Sequence, residues 1–97
     1  MADDESHTQL EIRVPTELEG GAYANMVGVW HTGHEFTLDF SVTLPTREAE
    51  GGAAIVPCQV VARLKIAPTL IFDLMRALNE NMTKYESTFG EIRRPQS

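Results

Sequence analysis

The stretch VWHTGHEFTLDF, residues 29–40, decides the fold of this chain. From Glu35 to Leu44 polar and apolar side chains alternate without a break. The apolar set is Phe36, Leu38, Phe40, Val42 and Leu44, and the polar set is Glu35, Thr37, Asp39, Ser41 and Thr43. A period of two residues indicates a β-strand with one apolar face and one hydrated face. Together with residues 23–32, this strand predicts a β-hairpin.

The loop between the two arms sets the register of the hairpin. A two- or four-residue connection centred on Gly33 and His34 aligns the apolar side chains in the pairs Val27–Phe40, Val29–Leu38 and His31–Phe36. Trp30 then lies on the other face, beside Thr37 and Asp39. A three-residue loop would shift the pairing by one residue and move Trp30 to the apolar face. We favour the first register because it leaves Gly28 and Trp30 beside Asp39 and Thr37.

Two further segments alternate in the same way. In residues 9–14 the apolar positions are Leu10, Ile12 and Val14, and Pro15 ends this predicted strand. Residues 57–66 predict a strand with Cys58, Val60, Ala62, Leu64 and Ile66 inward and with Gln59, Arg63 and Lys65 outward. On the apolar face, Cys58 would act as a small buried hydrophobic residue. The polar residues 45–56, which include Gly51 and Gly52, predict a loop.

The C-terminal part predicts one long helix. Pro68 suits its first turn, Gly90 suits its C-terminal cap, and the helix runs to about Phe89. Its apolar residues recur at spacings of 4, 3, 4, 3 and 4, which is a heptad pattern formed by Ile71, Met75, Leu78, Met82, Tyr85 and Phe89. We call these six residues the helical seam and predict that they form a dimer interface.

The order β-β-β-β-α predicts an α+β domain with an antiparallel four-stranded sheet and one long C-terminal helix packed on one face. The 97 residues divide into a disordered acidic N-terminus (1–8), one domain (9–90) and a polar tail (91–97). Residues 1–19 contain six acidic residues and one arginine, so they carry −5 of the net charge of −6. A nearly neutral body without a basic stripe weighs against general nucleic-acid binding.

The widths of the predicted layers favour a homodimer. Four strands about 4.8 Å apart form a sheet nearly 20 Å wide, whereas one helix with its side chains is only about 10 Å across. A single helix therefore leaves about half of the apolar face uncovered. A second copy of the helix would cover the rest, and C₂ dimers are the commonest assembly. Pairing at a sheet edge and a foreign helix in the same groove are the alternatives.

The residues His31, His34 and Glu35 have the chemistry of zinc ligands, but they do not lie on a helix, which is the usual setting of such a motif. Helical zinc motifs place two histidines on one face, whereas here the pair flanks Gly33 in a predicted turn. His7 lies in the N-terminal segment and a single cysteine supplies no Cys cluster. We therefore expect a solvated hairpin tip, with no metal and no cofactor. Ser41 lies near Asp39 on the hydrated strand face, but the nearest histidines are at the hairpin tip, which is too loose an arrangement for a catalytic triad. We therefore also expect no enzymatic activity.

Two other features admit a functional and a structural interpretation. Arg93 and Arg94, with Lys84, form the only basic cluster, and Tyr85 and Phe89 near it could stack bases, although core packing is the commoner use of such positions. Trp30 on the outer sheet face is either an interface anchor for a partner or a residue packed on the first strand.

No apolar run reaches the length of a membrane helix and no signal peptide is present, so we expect a cytoplasmic protein that does not bind membranes.

Two segments of the chain, ELEGGAYANMVGVWHTGHEFTLDF and RALNENMTKYESTFGEIR, resemble a small prokaryotic family known as domain of unknown function 3467. The resemblance covers about residues 14–94 without the 45–56 loop. It is carried in the hairpin by Tyr23, Asn25, His31, Glu35, Phe36, Asp39 and Phe40, and in the helix by Asn79, Asn81, Tyr85, Phe89 and Gly90. It implies a stand-alone small domain and brings no activity, cofactor or substrate.

The sequence therefore predicts a non-enzymatic, cytoplasmic, homodimeric module that binds another protein through its outer sheet face or a sheet edge. Trp30, Thr37 and Asp39 are the candidate partner surface. A weak nucleic-acid-binding or regulatory domain that uses Arg93 and Arg94 is the first alternative. A metal-dependent site at the hairpin tip is the second.

Overall fold

A computed structural model describes residues 8–94. Of the N-terminus predicted to be disordered (1–8), residues 1–7, which include His7, lie outside the described residues, as do residues 95–97 of the predicted tail (91–97). The elements in chain order are β1 (Met26–His31), β2 (Phe36–Thr43), β3 (Arg47–Glu48), β4 (Ala54–Ile55), β5 (Cys58–Ile66) and α1 (Ile71–Phe89). The α+β class, the antiparallel sheet and the C-terminal helix are confirmed.

The hairpin of β1 and β2 forms in the predicted register. The pairs Val27–Phe40, Val29–Leu38 and His31–Phe36 are all present, and a four-residue connection joins the two strands. The Thr32 amide donates to the Glu35 carbonyl at 3.0 Å, and the His34 amide donates to Thr32 Oγ1 at 3.1 Å. These bonds satisfy backbone groups that the turn removes from the ladder, so the tip is a closed turn.

The main sheet has three strands in the order β1-β2-β5, not four. Residues 9–14 belong to neither sheet, and Leu10 is 86% exposed. Alternation alone does not form a strand, because the backbone groups also need a partner edge. Pro15 leads directly into a 3₁₀ turn at Thr16–Leu18. The predicted first strand of the sheet is therefore wrong.

The predicted loop at residues 45–56 contains a second, two-stranded sheet. In it β3 pairs with β4 through Arg47–Ile55 and Glu48–Ala54. The Ala49 amide closes the turn by donating to the Ala53 carbonyl at 2.7 Å. The main ladder continues at its base, where the Leu44 amide donates to the Pro57 carbonyl at 2.8 Å. The small sheet is thus an extension of the turn between β2 and β5.

A β-bulge divides β5 into two parts. Phe40 pairs with Ala62, but the next residue, Ser41, pairs with Val60 instead of Val61. A bulge inserts one residue and reverses the side to which the preceding residues point. Leu64 and Ile66 face the apolar side as predicted, whereas Cys58 and Val60 face the opposite side, opposite Thr43 and Ser41, and Gln59 pairs with Val42. The predicted inward orientation of Cys58 and Val60 is therefore wrong, and Cys58 is exposed.

The helix begins and ends close to the predicted positions. A 3₁₀ turn at Pro68–Leu70 precedes α1, and Gly90 ends it with φ of 99°, a left-handed conformation that suits glycine. The Gly90 amide donates to the Glu86 carbonyl at 3.0 Å. Of the helices that the described residues form, none combines the length and the apolar character needed to cross a bilayer.

The molecule is elongated, with extents of 73 × 36 × 32 Å. Its radius of gyration is 19.1 Å, whereas a compact chain of this length has about 12.5 Å. Only the first half of α1 lies near the sheet, and in the described part of the chain the one buried hydrophobic side chain is Leu38, which is 9% exposed. The chain by itself therefore forms secondary structure without a closed core.

Candidate functional site

The apolar face of the main sheet borders an open groove of about 470 Å³. Its floor and wall are wholly apolar and comprise Val27, Val29, Phe36, Leu38 and Phe40 from the sheet and Ile71, Leu74, Met75 and Leu78 from α1. The alternation in β2 explains the floor, and the heptad spacing of α1 explains the wall. An apolar groove without polar lining suits an apolar occupant.

The helical seam divides at Leu78. Its first three residues, Ile71, Met75 and Leu78, border the groove. The last three, Met82, Tyr85 and Phe89, are exposed and lie beyond it, with the rings of Tyr85 and Phe89 in contact at a centroid distance of 4.9 Å. The chain therefore directs half of the predicted dimer interface toward its own sheet without burying it, since Met75 and Leu78 are 60% and 63% exposed, and the other half lies beyond the groove.

The opposite face of the sheet, which we call the outer face, is not the hydrated surface that alternation predicted. Thr37, Asp39 and Ser41 are 4%, 5% and 7% exposed. They occupy the central strand β2, so side chains of both neighbouring strands cover them. Trp30 pairs with Thr37, Arg63 with Asp39, and Met26 with Ser41.

Asp39 and Arg63 form a two-bond ion pair at the centre of the outer face. The Arg63 Nε and Nη2 atoms donate to the two carboxylate oxygens of Asp39, each at 2.7 Å. The Asp39 side chain is 6% exposed, whereas that of Arg63 is 56% exposed. The Arg63 hydrogen bonds hold the pKa of Asp39 below its usual value despite burial, and the bond to Asp39 raises the pKa of Arg63. This fork geometry fixes the pairing of β2 with β5.

Trp30 lies across Gly28 on the same face. A Cβ atom at Gly28 would lie 3.0 Å from Trp30 Cζ3, so a larger residue there would require the ring to shift. Next to it, Cys58 Sγ lies 3.2 Å from Met26 Sδ, across the central strand. The outer face thus presents Trp30, Arg63 and Lys65 on its surface, with the carboxylates of Asp39 and Glu35 bound to the two bases.

The Asp39–Arg63 pair predicts a pH dependence of stability. Because the folded-state pKa of Asp39 is lowered, its stabilising effect is present above the unfolded-state pKa of about 3.9 and is lost as pH falls through the folded-state value. In urea titrations repeated from neutral pH down to about pH 2, the native protein should lose more stability below about pH 4 than Asp39→Asn. Glu11→Gln, which breaks an exposed pair with Arg13, is the control and should follow the native curve. Parallel curves for native protein and Asp39→Asn would contradict the prediction.

The hairpin-tip residues serve the turn and its neighbours. The His31 ring stacks on Phe36 at a centroid distance of 5.3 Å, and Glu35 accepts a hydrogen bond from Lys65 Nζ at 2.9 Å. His34 is exposed in the turn. Between residues 8 and 94, no group of three His, Cys, Asp or Glu residues is placed to hold a metal ion.

The stacking predicts different effects for the two histidines. His34→Ala should change the free energy of unfolding by less than about 0.5 kcal/mol, as surface substitutions usually do, whereas His31→Gln should cost about 1 kcal/mol through the lost contact with Phe36. Thermal melts with zinc and with chelator test the metal alternative. A zinc-dependent rise in Tm that either substitution abolishes would show a metal site, because a bound ion stabilises the folded state.

The sequence predicted part of the outer face and missed the rest. Trp30, Thr37 and Asp39 are adjacent as expected from the hairpin register. The alternation within each strand does not predict Arg63 as the partner of Asp39, because it sets no register between β2 and β5. Pairing Phe36 with Ile66 would have revealed it, since the same register aligns Asp39 with Arg63. The basic residues Arg93 and Arg94 follow α1, in a segment whose start is held by the Ile92 amide, which donates to Glu86 Oε2 at 2.9 Å.

A family model described as "Protein of unknown function (DUF3467)" matches residues 1–94. The match confirms the family resemblance found in the hairpin and the helix. Among curated proteins and among solved structures, no match to the chain was found.

Proposed function

We propose that this chain, which belongs to the DUF3467 family, is a small, non-enzymatic, homodimeric interaction module of the cytoplasm. The proposal is based on the two faces of its main sheet. The apolar face and the helical seam bind a second copy of the chain, and the outer face around Trp30, beneath which Thr37 and Asp39 are buried, binds another protein.

The amount of uncovered surface carries this proposal. The chain exposes 8909 Å², whereas a folded monomer of this mass exposes about 5,500 Å². The excess is about 3,400 Å² per copy, and part of it belongs to residues 8–14, which are all exposed. If each copy buried only half of its excess, the dimer interface would total about 3,400 Å², within the range of obligate homodimers.

The composition of this surface supports a permanent partner. The uncovered residues of the groove and seam are Val, Leu, Met, Tyr and Phe, and monomeric proteins rarely leave such a continuous apolar area in water. Obligate interfaces resemble a domain core divided in two. A chain with one buried hydrophobic residue among those described matches half of such a core.

The mass of the native protein tests the proposal. One copy has a mass of 10.8 kDa, so a dimer has twice that, 21.6 kDa. Size exclusion coupled to light scattering at micromolar concentration should give the dimer mass, with the same value across a tenfold dilution series. A monomer mass at the highest concentration would overturn the proposal.

The outer face is tested separately, because a partner there leaves the dimer intact. Trp30 combines a large apolar ring with half exposure on the same face as Arg63, and Trp and Arg are among the residue types that most often anchor interfaces. In affinity purification from the native cell, a protein retained by the native chain should be lost with Trp30→Ala. The control is Tyr23→Ala, an exposed aromatic residue outside both sheets. Equal retention by native protein and Trp30→Ala would exclude the outer face as the binding site.

A further inference from the structure

We infer that two copies exchange the second halves of their helices, so that residues 79–89 of each copy lie in the apolar groove of the other. This inference rests on the proposed dimer and specifies its geometry. It differs from a dimer in which two helices only lie side by side, each on its own sheet.

The first argument is the length of the helix. The 19 residues of α1 span about 28 Å. Leu78, its eighth residue, is the last that borders the groove. The remaining 11 residues therefore extend about 16 Å past the groove wall, and among the described residues none of these 11 lines the groove over the sheet.

The second argument is the direction of the exposed side chains. Heptad spacing keeps Met82, Tyr85 and Phe89 on the same side of the helix as Ile71, Met75 and Leu78. The groove and the projecting apolar side chains thus share one side of each copy. A twofold dimer needs this arrangement, because each copy must offer both the site and its occupant.

The third argument is chemical. The groove has no polar lining, and Met82, Tyr85 and Phe89 supply apolar area with a single hydroxyl group. Methionine adapts to irregular gaps and aromatic rings bury large areas. The exchange also covers two exposed apolar surfaces at once. The floor of each groove and the exposed half-helix of the other copy both lose their contact with water.

Interchain cross-linking tests the exchange. Both chains carry Cys58→Ser to remove the native thiol; one chain also carries Val29→Cys in the groove floor and the other Tyr85→Cys on the helix. The two proteins are mixed in denaturant, refolded together and treated with a short bifunctional thiol reagent. We expect a cross-link between positions 29 and 85, identified by mass spectrometry. Each chain has one cysteine, so this link can only join two copies.

Glu80→Cys in place of Tyr85→Cys is the matched control. Position 80 lies on the side of the helix opposite the seam, so its link to position 29 should be absent. A dimer mass without the 29–85 link would overturn the exchange and leave the dimer standing, whereas a monomer mass would overturn both. A third mixture, with Leu10→Cys in place of Tyr85→Cys, tests the apolar N-terminal segment as occupant; a link from 10 to 29 with none from 29 to 85 would also overturn the exchange.

Discussion

Leu78→Glu should convert the dimer into a monomer. Leu78 lies where the groove-lining half of α1 meets the projecting half, so in a twofold dimer both new carboxylates are enclosed in apolar surroundings. An unpaired buried charge costs several kcal/mol, and about 4 kcal/mol weakens a Kd by about a thousandfold. Light scattering should therefore give 10.8 kDa for the variant at concentrations where the native protein is dimeric.

Ala77→Glu is the control for this substitution. It adds the same side chain to the adjacent position, which lies on the side of the helix away from the seam, and it should leave the mass of the native dimer unchanged. Circular dichroism of both variants distinguishes dissociation from unfolding. If Leu78→Glu keeps both the native mass and the native helix content, the seam is not the interface.

Leu38→Ala should cause the largest loss of stability among single truncations in the sheet. Leu38 occupies the middle of the central strand, on the groove floor, and is the most buried hydrophobic residue between positions 8 and 94. Truncating a buried leucine removes transfer free energy and leaves a cavity, at a cost of about 2–5 kcal/mol. Equilibrium urea unfolding at fixed protein concentration measures the difference.

Leu10→Ala makes the same chemical change at the opposite extreme of exposure. Because Leu10 is 86% exposed, its truncation should change the free energy of unfolding by less than about 0.5 kcal/mol. Equal losses at the two positions would show that the N-terminal segment is as buried as the sheet centre in the assembled protein. That result would reject the described environment of Leu10.

The hairpin and the helix could be predicted because their determinants are local. Alternation in β2 and the short tip around Gly33 define a register without reference to the rest of the chain. Pro68, the heptad spacing and Gly90 define the helix in the same way. In each case one segment contains both the periodicity and the residue that ends it.

The outer face could be predicted only in part because it depends on a third strand. Burial of Asp39 follows from the central place of β2 in the sheet, which no residue of β2 itself reveals. The segment around Leu10 shows the reverse error: its alternation is as regular as that of a paired strand, yet it pairs with no strand among residues 8–94. Periodicity describes one strand, whereas pairing requires two.

The bulge in β5 has an evolutionary consequence, because it is a one-residue insertion that the sheet has absorbed. With Val61 unpaired between Ala62 and Val60, loss of Val61 would join these two neighbours in a regular ladder. Every preceding side chain would keep its present face. The contact between Cys58 and Met26 would therefore survive a deletion at this position. By contrast, a deletion within β2 would move every side chain on one side of the deletion to the opposite face of the sheet. Length variation among related chains should accordingly be tolerated at Val61 and excluded from the centre of β2.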